Sequence, residues 1–114
     1  MEKEKKDRLF VPLNSGPFDD FSFNGKTFEI RGYGRQYTEK HVYPGRDVEL
    51  RKGYSGESLK GKIGQIEIGS LSQILKKIDY KLVIPLASSE LSAFKKIKEI
   101  LGSREKYIAF EVLM

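Results

Sequence analysis

The chain has 114 residues, 39% of them hydrophobic, with no cysteine and a formal net charge of +5. That length suits one domain with a modest core, and the missing thiols exclude disulfides, thiolate zinc sites and cysteine nucleophiles. No apolar run approaches the roughly 20 residues that span a bilayer, and the charged start MEKEKKDR lacks the long apolar stretch of a signal peptide, so a soluble, cytoplasmic chain without membrane partners is expected.

Residues 1–8 read as a flexible charged tail, and 9–114 as a single domain. LFVPL (9–13) predicts a short strand, placed at an edge or a strand end because Pro12 cannot donate to a ladder. Asn14-Ser15-Gly16-Pro17 predicts a turn capping a short helix from Pro17, with Phe18, Phe21 and Phe23 pointing inward. Asn24-Gly25 stops that helix and leads into a strand over 27–31. Gly32-Tyr33-Gly34 break the strand, and an irregular segment runs to the turn Pro44-Gly45-Arg46-Asp47. Val48–Arg51 is the next strand, with Val48 and Leu50 on one face and Asp47, Glu49 and Arg51 on the other. A loop over 53–61 precedes the clearest strand signal, 62–68, which sets Ile63, Gln65 and Glu67 opposite Gly64, Ile66 and Ile68.

Two helices follow. Leu71, Ile74, Leu75 and Ile78 recur at helical spacing behind Ser70 as N-cap. Leu82-Val83-Ile84-Pro85 reads as extended. A second helix, capped by Ser88 or Ser89, carries the stripe Leu91, Phe94, Ile97, Ile100 and Leu101 and ends at Gly102. Tyr107–Leu113 is the closing strand. This order of elements indicates an α+β fold: a small, mostly antiparallel β-barrel with two or three flanking helices.

Three features carry possible chemistry. In NGKTFEIRGYGR (24–35), Phe28 and Ile30 form one strand face, while the other carries Thr27, Glu29 and Arg31 with Lys26 at the entrance. A guanidinium forks onto phosphate or carbonyl oxygens and a carboxylate accepts from an amino group; an exposed Glu–Arg pair on a solvated strand gives the same pattern. Segment 31–54 holds Tyr33, Tyr37, Tyr43 and Tyr54, four of the six tyrosines, among Arg31, Arg35, Lys40, Arg46, Arg51 and Lys52. Rings interleaved with cations suit single-stranded nucleic acid, although tyrosine is equally at home in strands and turns. His41 is the only histidine and cannot anchor a usual zinc site alone, so neither a metal nor another cofactor is expected.

The succession Gly-Lys-Thr-Phe-Glu-Ile-Arg, Pro-Gly-Arg-Asp-Val-Glu-Leu and a closing Tyr-Ile-Ala-Phe-Glu-Val resembles the ASCH domain family of the PUA-like superfamily, over residues 9 to 113. The family pattern reads approximately Gly-x-Lys-Thr-x-Glu-x-Arg, then Pro-Gly-Asp. Gly25, Lys26, Thr27, Glu29 and Arg31 match the first block with one residue fewer between glycine and lysine. Pro44 and Gly45 match the second, where Arg46 intrudes before Asp47. The resemblance implies a PUA-like barrel with a cleft that binds RNA or a nucleotide-like molecule through the motif residues Lys26, Thr27, Glu29 and Arg31; Tyr33, Arg35, Tyr37 and Arg46, from the tyrosine-rich segment, are expected as further ligand contacts. It offers as an alternative a small hydrolase, an amidohydrolase on acylated cytidines or a ribonuclease, with Lys26, Thr27 and Glu29 in the chemistry. Those amidohydrolases carry a threonine where this chain has Glu29. A protein-interaction barrel without catalysis is the third reading, and a monomer is the expected state.

Overall fold

Five strands form one curled sheet in the computed structural model, which describes residues 7–114. In chain order the elements are β1 (Leu9–Leu13), α1 (Ser15–Phe23), β2 (Phe28–Gly32), β3 (Asp47–Lys52), β4 (Ser58–Gly69), α2 (Leu71–Lys77), a 3₁₀ turn at Tyr80–Leu82, α3 (Glu90–Leu101) and β5 (Tyr107–Leu113). The strand order is β1-β3-β4-β5-β2. β1 runs parallel to β3, and the other three pairings are antiparallel. The sheet is a half-barrel with its helices alongside, so the α+β, PUA-like expectation holds. Of the expected tail, residues 1–6 lie outside the described residues; Arg8 is ion-paired to Glu49 at 3.1 Å.

Both faces of the sheet are buried, each against its own core. On the inner face Val11, Val48, Leu50, Ile63, Ile108 and Phe110 pack with Phe18 and Phe21 of α1. On the other face Phe28, Ile30, Tyr107 and Ala109 pack against Leu71, Ile74 and Leu75 of α2 and Ile97 of α3. Removing these side chains from water is the main driving force for closing the layers. The alternation along β2 therefore separates two interiors rather than an inside from a wet outside.

The caps form where hydroxyls precede helical patterns. Ser70 Oγ accepts from Gln73 N at 3.2 Å while Gln73 Oε1 accepts from Ser70 N at 2.9 Å, a reciprocal capping box. Ser89, rather than Ser88, caps α3 through Ser92 N at 3.1 Å, and α1 begins at Ser15, before Pro17.

Several expectations are corrected. Phe23 is 80% exposed because it sits in the last turn of α1, past the core contact made by Phe18 and Phe21. Leu91 and Ile100 are also exposed: α3 turns Ala93 and Ile97 to the core, with Phe94 and Leu101 only partly covered. Residues 58–61 are strand rather than loop, drawn into β4 by pairing with β3. The piece expected to be extended, 82–85, is not a strand: Leu82 ends a 3₁₀ turn, Tyr80–Leu82, capped by Asp79 accepting from Lys81 N at 3.0 Å, and Val83 keeps a helical backbone. In β4 a bulge lies between Ile63 and Ile66, where three steps along β4 match two along β5, from Val112 to Phe110. The extra residue resets the alternation, so Ile63, Ile66 and Ile68 all reach the inner core, the last two partly buried.

Candidate functional site

The two edges of the sheet, β1 and β2, face each other across the open side of the half-barrel, and Arg31 joins them. Its Nη2 donates to the carbonyl of Pro12 on β1 at 2.9 Å, its Nε to Glu29 Oε2 at 2.7 Å and its Nη1 to Tyr37 Oη at 3.2 Å. Edge strands carry unpaired backbone groups, and here a side chain supplies a bond that backbone pairing does not. One N–H on each terminal nitrogen of Arg31 is left over. The Tyr37 ring lies 5.1 Å from the guanidinium and stacks on Phe110 at 6.3 Å, which ties the 32–46 segment to the barrel interior.

Glu29 sits between two cations. It is 7% exposed, with Oε2 on Arg31 and Oε1 3.4 Å from Lys26 Nζ. Lys26 lies behind it, 3% exposed, donating to the Val83 carbonyl at 2.5 Å and resting 5.2 Å from the Phe21 ring centre. Burial pulls the Lys26 pKa below 10.5, only partly opposed by the attraction of Glu29. Arg31 moves the other way: desolvation pulls down, but Glu29 and Tyr37 together raise its pKa above the ordinary guanidinium value.

A cleft of about 350 Å³ opens along this seam. Pro12, Leu13, Asn14 and Pro17 line one side, and Glu29, Ile30 and Arg31 the other. Ile84 and, from α3, Ile97, Ile100 and Leu101 add apolar wall, with Gly53 and Tyr54 from the β3–β4 turn. Ile100 and Tyr54, exposed at 64% and 80%, stand at the solvent edge. The combination is a mostly apolar slot holding one carboxylate and one guanidinium, both preset by partners.

The residues singled out by sequence divide into three groups. Glu29 and Arg31 line the slot, with Lys26 directly behind them. Tyr33, Arg35 and Tyr37 line a second groove that shares Pro12, Arg31 and Leu101 with the first. Thr27 and Arg46 line neither. The backbone of Thr27 is engaged with Leu82 and Val112, while Arg46 donates to the carbonyls of Asp7 at 2.7 Å and His41 at 2.6 Å. Tyr54 belonged to the tyrosine-rich segment, but sequence gave no reason to join it to the α3 residues Ile100 and Leu101. Among the described residues, no three His, Cys, Asp or Glu side chains are grouped to hold a metal ion, and no helix is long and apolar enough to cross a membrane.

No protein-family model and no curated protein sequence matches this chain. Solved structures do. The hypothetical protein PH0355 superposes with a TM-score of 0.75 at 19% identity, covering 93% of this chain and 97% of that one. Protein PF0455 from Pyrococcus furiosus gives 0.63 at 17% identity, covering 93% and 96%. ASCH from Zymomonas mobilis gives 0.66 at 14% identity, over 96% of this chain and 68% of its own length. The fold is that of an ASCH domain. At these identities the likeness concerns the path of the backbone, so the slot's chemistry rests on the side chains of this chain.

Proposed function

We propose that this ASCH-type domain is a binding module that takes one nucleotide unit, free or within RNA, in the seam slot. The observation that carries this reading is the Glu29–Arg31 pair, held at the junction of the two sheet edges inside a mostly apolar cleft. Few polar groups set in apolar walls are what orient a small ligand, and about 350 Å³ lies at the small end of the roughly 300–1,000 Å³ usual for such sites. Glu29 can accept from an exocyclic amine, the spare N–H groups of Arg31 can donate to base or phosphate oxygens, and Tyr54 offers a ring at the edge for stacking. Replacing Arg31 by Ala, with Arg31→Lys as a milder variant that keeps the charge, should weaken RNA binding about tenfold or more and flatten its salt dependence. Affinity that matches the wild type throughout a salt titration, with both variants folded, would overturn the assignment.

The hydrolase reading has one observation behind it. Burial lowers the pKa of Lys26, which brings the neutral amine, a possible general base, closer to physiological pH. Binding is favoured over it because the Lys26 amine is directed to Val83 and Glu29 and does not line the slot. Turnover of an acylated cytidine that is lost in Lys26→Ala would reverse that preference.

A further inference from the structure

Beside the seam slot lies a second, wider groove of about 760 Å³, lined by Pro12, the 31–37 segment, Leu101 and Arg104. Pro12, Arg31 and Leu101 lie in both lining sets, so the two depressions adjoin along these residues. The groove carries two further arginines. Among the described residues, neither Arg35 nor Arg104 is paired with a carboxylate.

Both arginines are placed at some expense to the local backbone or sequence. Arg104 donates its Nε to the Leu101 carbonyl at 2.9 Å. Its side chain lies flat over Gly32, where an added Cβ would come within 2.5 Å of the Arg104 Cδ and Nε. Any residue but glycine at 32 would push this guanidinium away. Arg35 is the one non-glycine residue with positive φ among the described residues, at 53°, in the two-residue turn closed by the Gly34–Tyr37 bridge. Glycine or asparagine would hold that conformation more easily, so the backbone does not explain an arginine there. Tyr33 and Tyr37 line the same groove as the arginines, with Lys106 Nζ 4.2 Å from the Tyr33 ring centre.

We infer that this groove is a phosphate track, and that the ligand of the seam slot is one unit of a single-stranded polynucleotide whose backbone continues over Arg31 to Arg104 and Arg35. The inference rests on the binding reading above and specifies its ligand class. Cations spaced along a groove with interleaved rings fit a flexible strand, whose phosphates meet the charges while its bases stack.

The test uses the full chain, a fluorescein-labelled single-stranded RNA hexamer read by anisotropy, and the four free nucleosides read by ¹H–¹⁵N chemical shifts. The hexamer should bind at least tenfold more tightly than any nucleoside. Arg104→Ala and Arg35→Gly should each weaken the hexamer about tenfold and reduce the salt slope by about 0.7, the value for one lost phosphate contact on a single strand; the nucleoside shifts should stay unchanged. Arg35→Gly also relieves the left-handed turn, so its melting temperature should equal or exceed that of the wild type, which separates lost contact from lost fold. Lys76→Ala, removing the same charge from α2, should leave both ligands unaffected. If the hexamer binds but is indifferent to Arg35 and Arg104, the track is refuted and the slot reading survives. If neither hexamer nor nucleoside binds, both fall.

Discussion

Two carboxylates on strands that read as half-wet, Glu29 and Glu49, are both buried, and each is held between two cations. Glu49 is 7% exposed and accepts from Arg8 Nη1 at 3.1 Å and from Arg51. Burial pushes the Glu49 carboxyl up, but hydrogen bonds from Arg51 and Arg8 and the charges behind them outweigh it and hold the group below 4.5. A native pKa below the unfolded one means that the unfolded chain binds the proton first as pH falls. The stabilisation is therefore complete above 4.5 and is lost as pH drops through the native value. Glu49→Gln should cost about 2 kcal/mol at neutral pH, with a shallower loss of stability below pH 4.5, both read from urea denaturation at a series of pH values. Glu29 differs in place: it and its partner Arg31 line a cleft, which Glu49 does not.

At the scale of elements, β4 shows how pairing overrides composition. Gly61 suggests a loop, yet it stands opposite Val48 in the β3–β4 ladder, and a Cβ on it would lie 2.5 Å from the carbonyl oxygen of Leu113 on β5. The glycine permits a close approach of two backbones. Gly61→Ala should destabilise the domain by about 1–3 kcal/mol through overpacking, measured by thermal or chemical denaturation. A stability equal to that of the wild type would mean that β5 can shift there freely. Farther along the same strand, the bulge after Ile63 keeps three isoleucines on one core. Strict alternation, the only pattern visible in the chain, would have split them between faces.

For the molecule as a whole, the decisive feature is that the sheet curls until its two edges approach without pairing along their length, leaving a seam that side chains close. Arg31 makes that closure through Pro12, Glu29 and Tyr37. Removing it exposes the seam and leaves Glu29 with Lys26 alone. Arg31→Ala should therefore lower global stability by about 3 kcal/mol, in line with breaking a largely buried pair; Arg31→Lys should lower it by less, because it keeps a charge for Glu29, though one ammonium cannot hold three diverging acceptors. Denaturant midpoints compared at equal slopes would check both. A loss smaller than about 0.5 kcal/mol in the alanine variant, the range of ordinary surface changes, would show that the seam holds without it. The residue proposed to bind the ligand thus also closes the seam, so the alanine and lysine variants are compared for binding and for stability together.

Much of this architecture was legible along the chain. The alternation of Phe28 and Ile30 with Glu29 and Arg31, the capping serines Ser70 and Ser89, the stop at Gly102 and the closing strand are local signals, carried by neighbouring residues and expressed in hydrogen bonds within a few positions. The candidate site was visible as a run of residues but not as a place. Periodicity shows that a strand has two faces and says nothing about what each face meets. Only the order β1-β3-β4-β5-β2 turns Glu29 and Arg31 toward the inner side of the sheet, brings Pro12 within reach of a guanidinium 19 positions away, and sets Tyr54, Ile100 and Arg104 around them. Those meetings are long-range contacts made when the sheet curls, and nothing in the neighbouring sequence of any one of them records its partners.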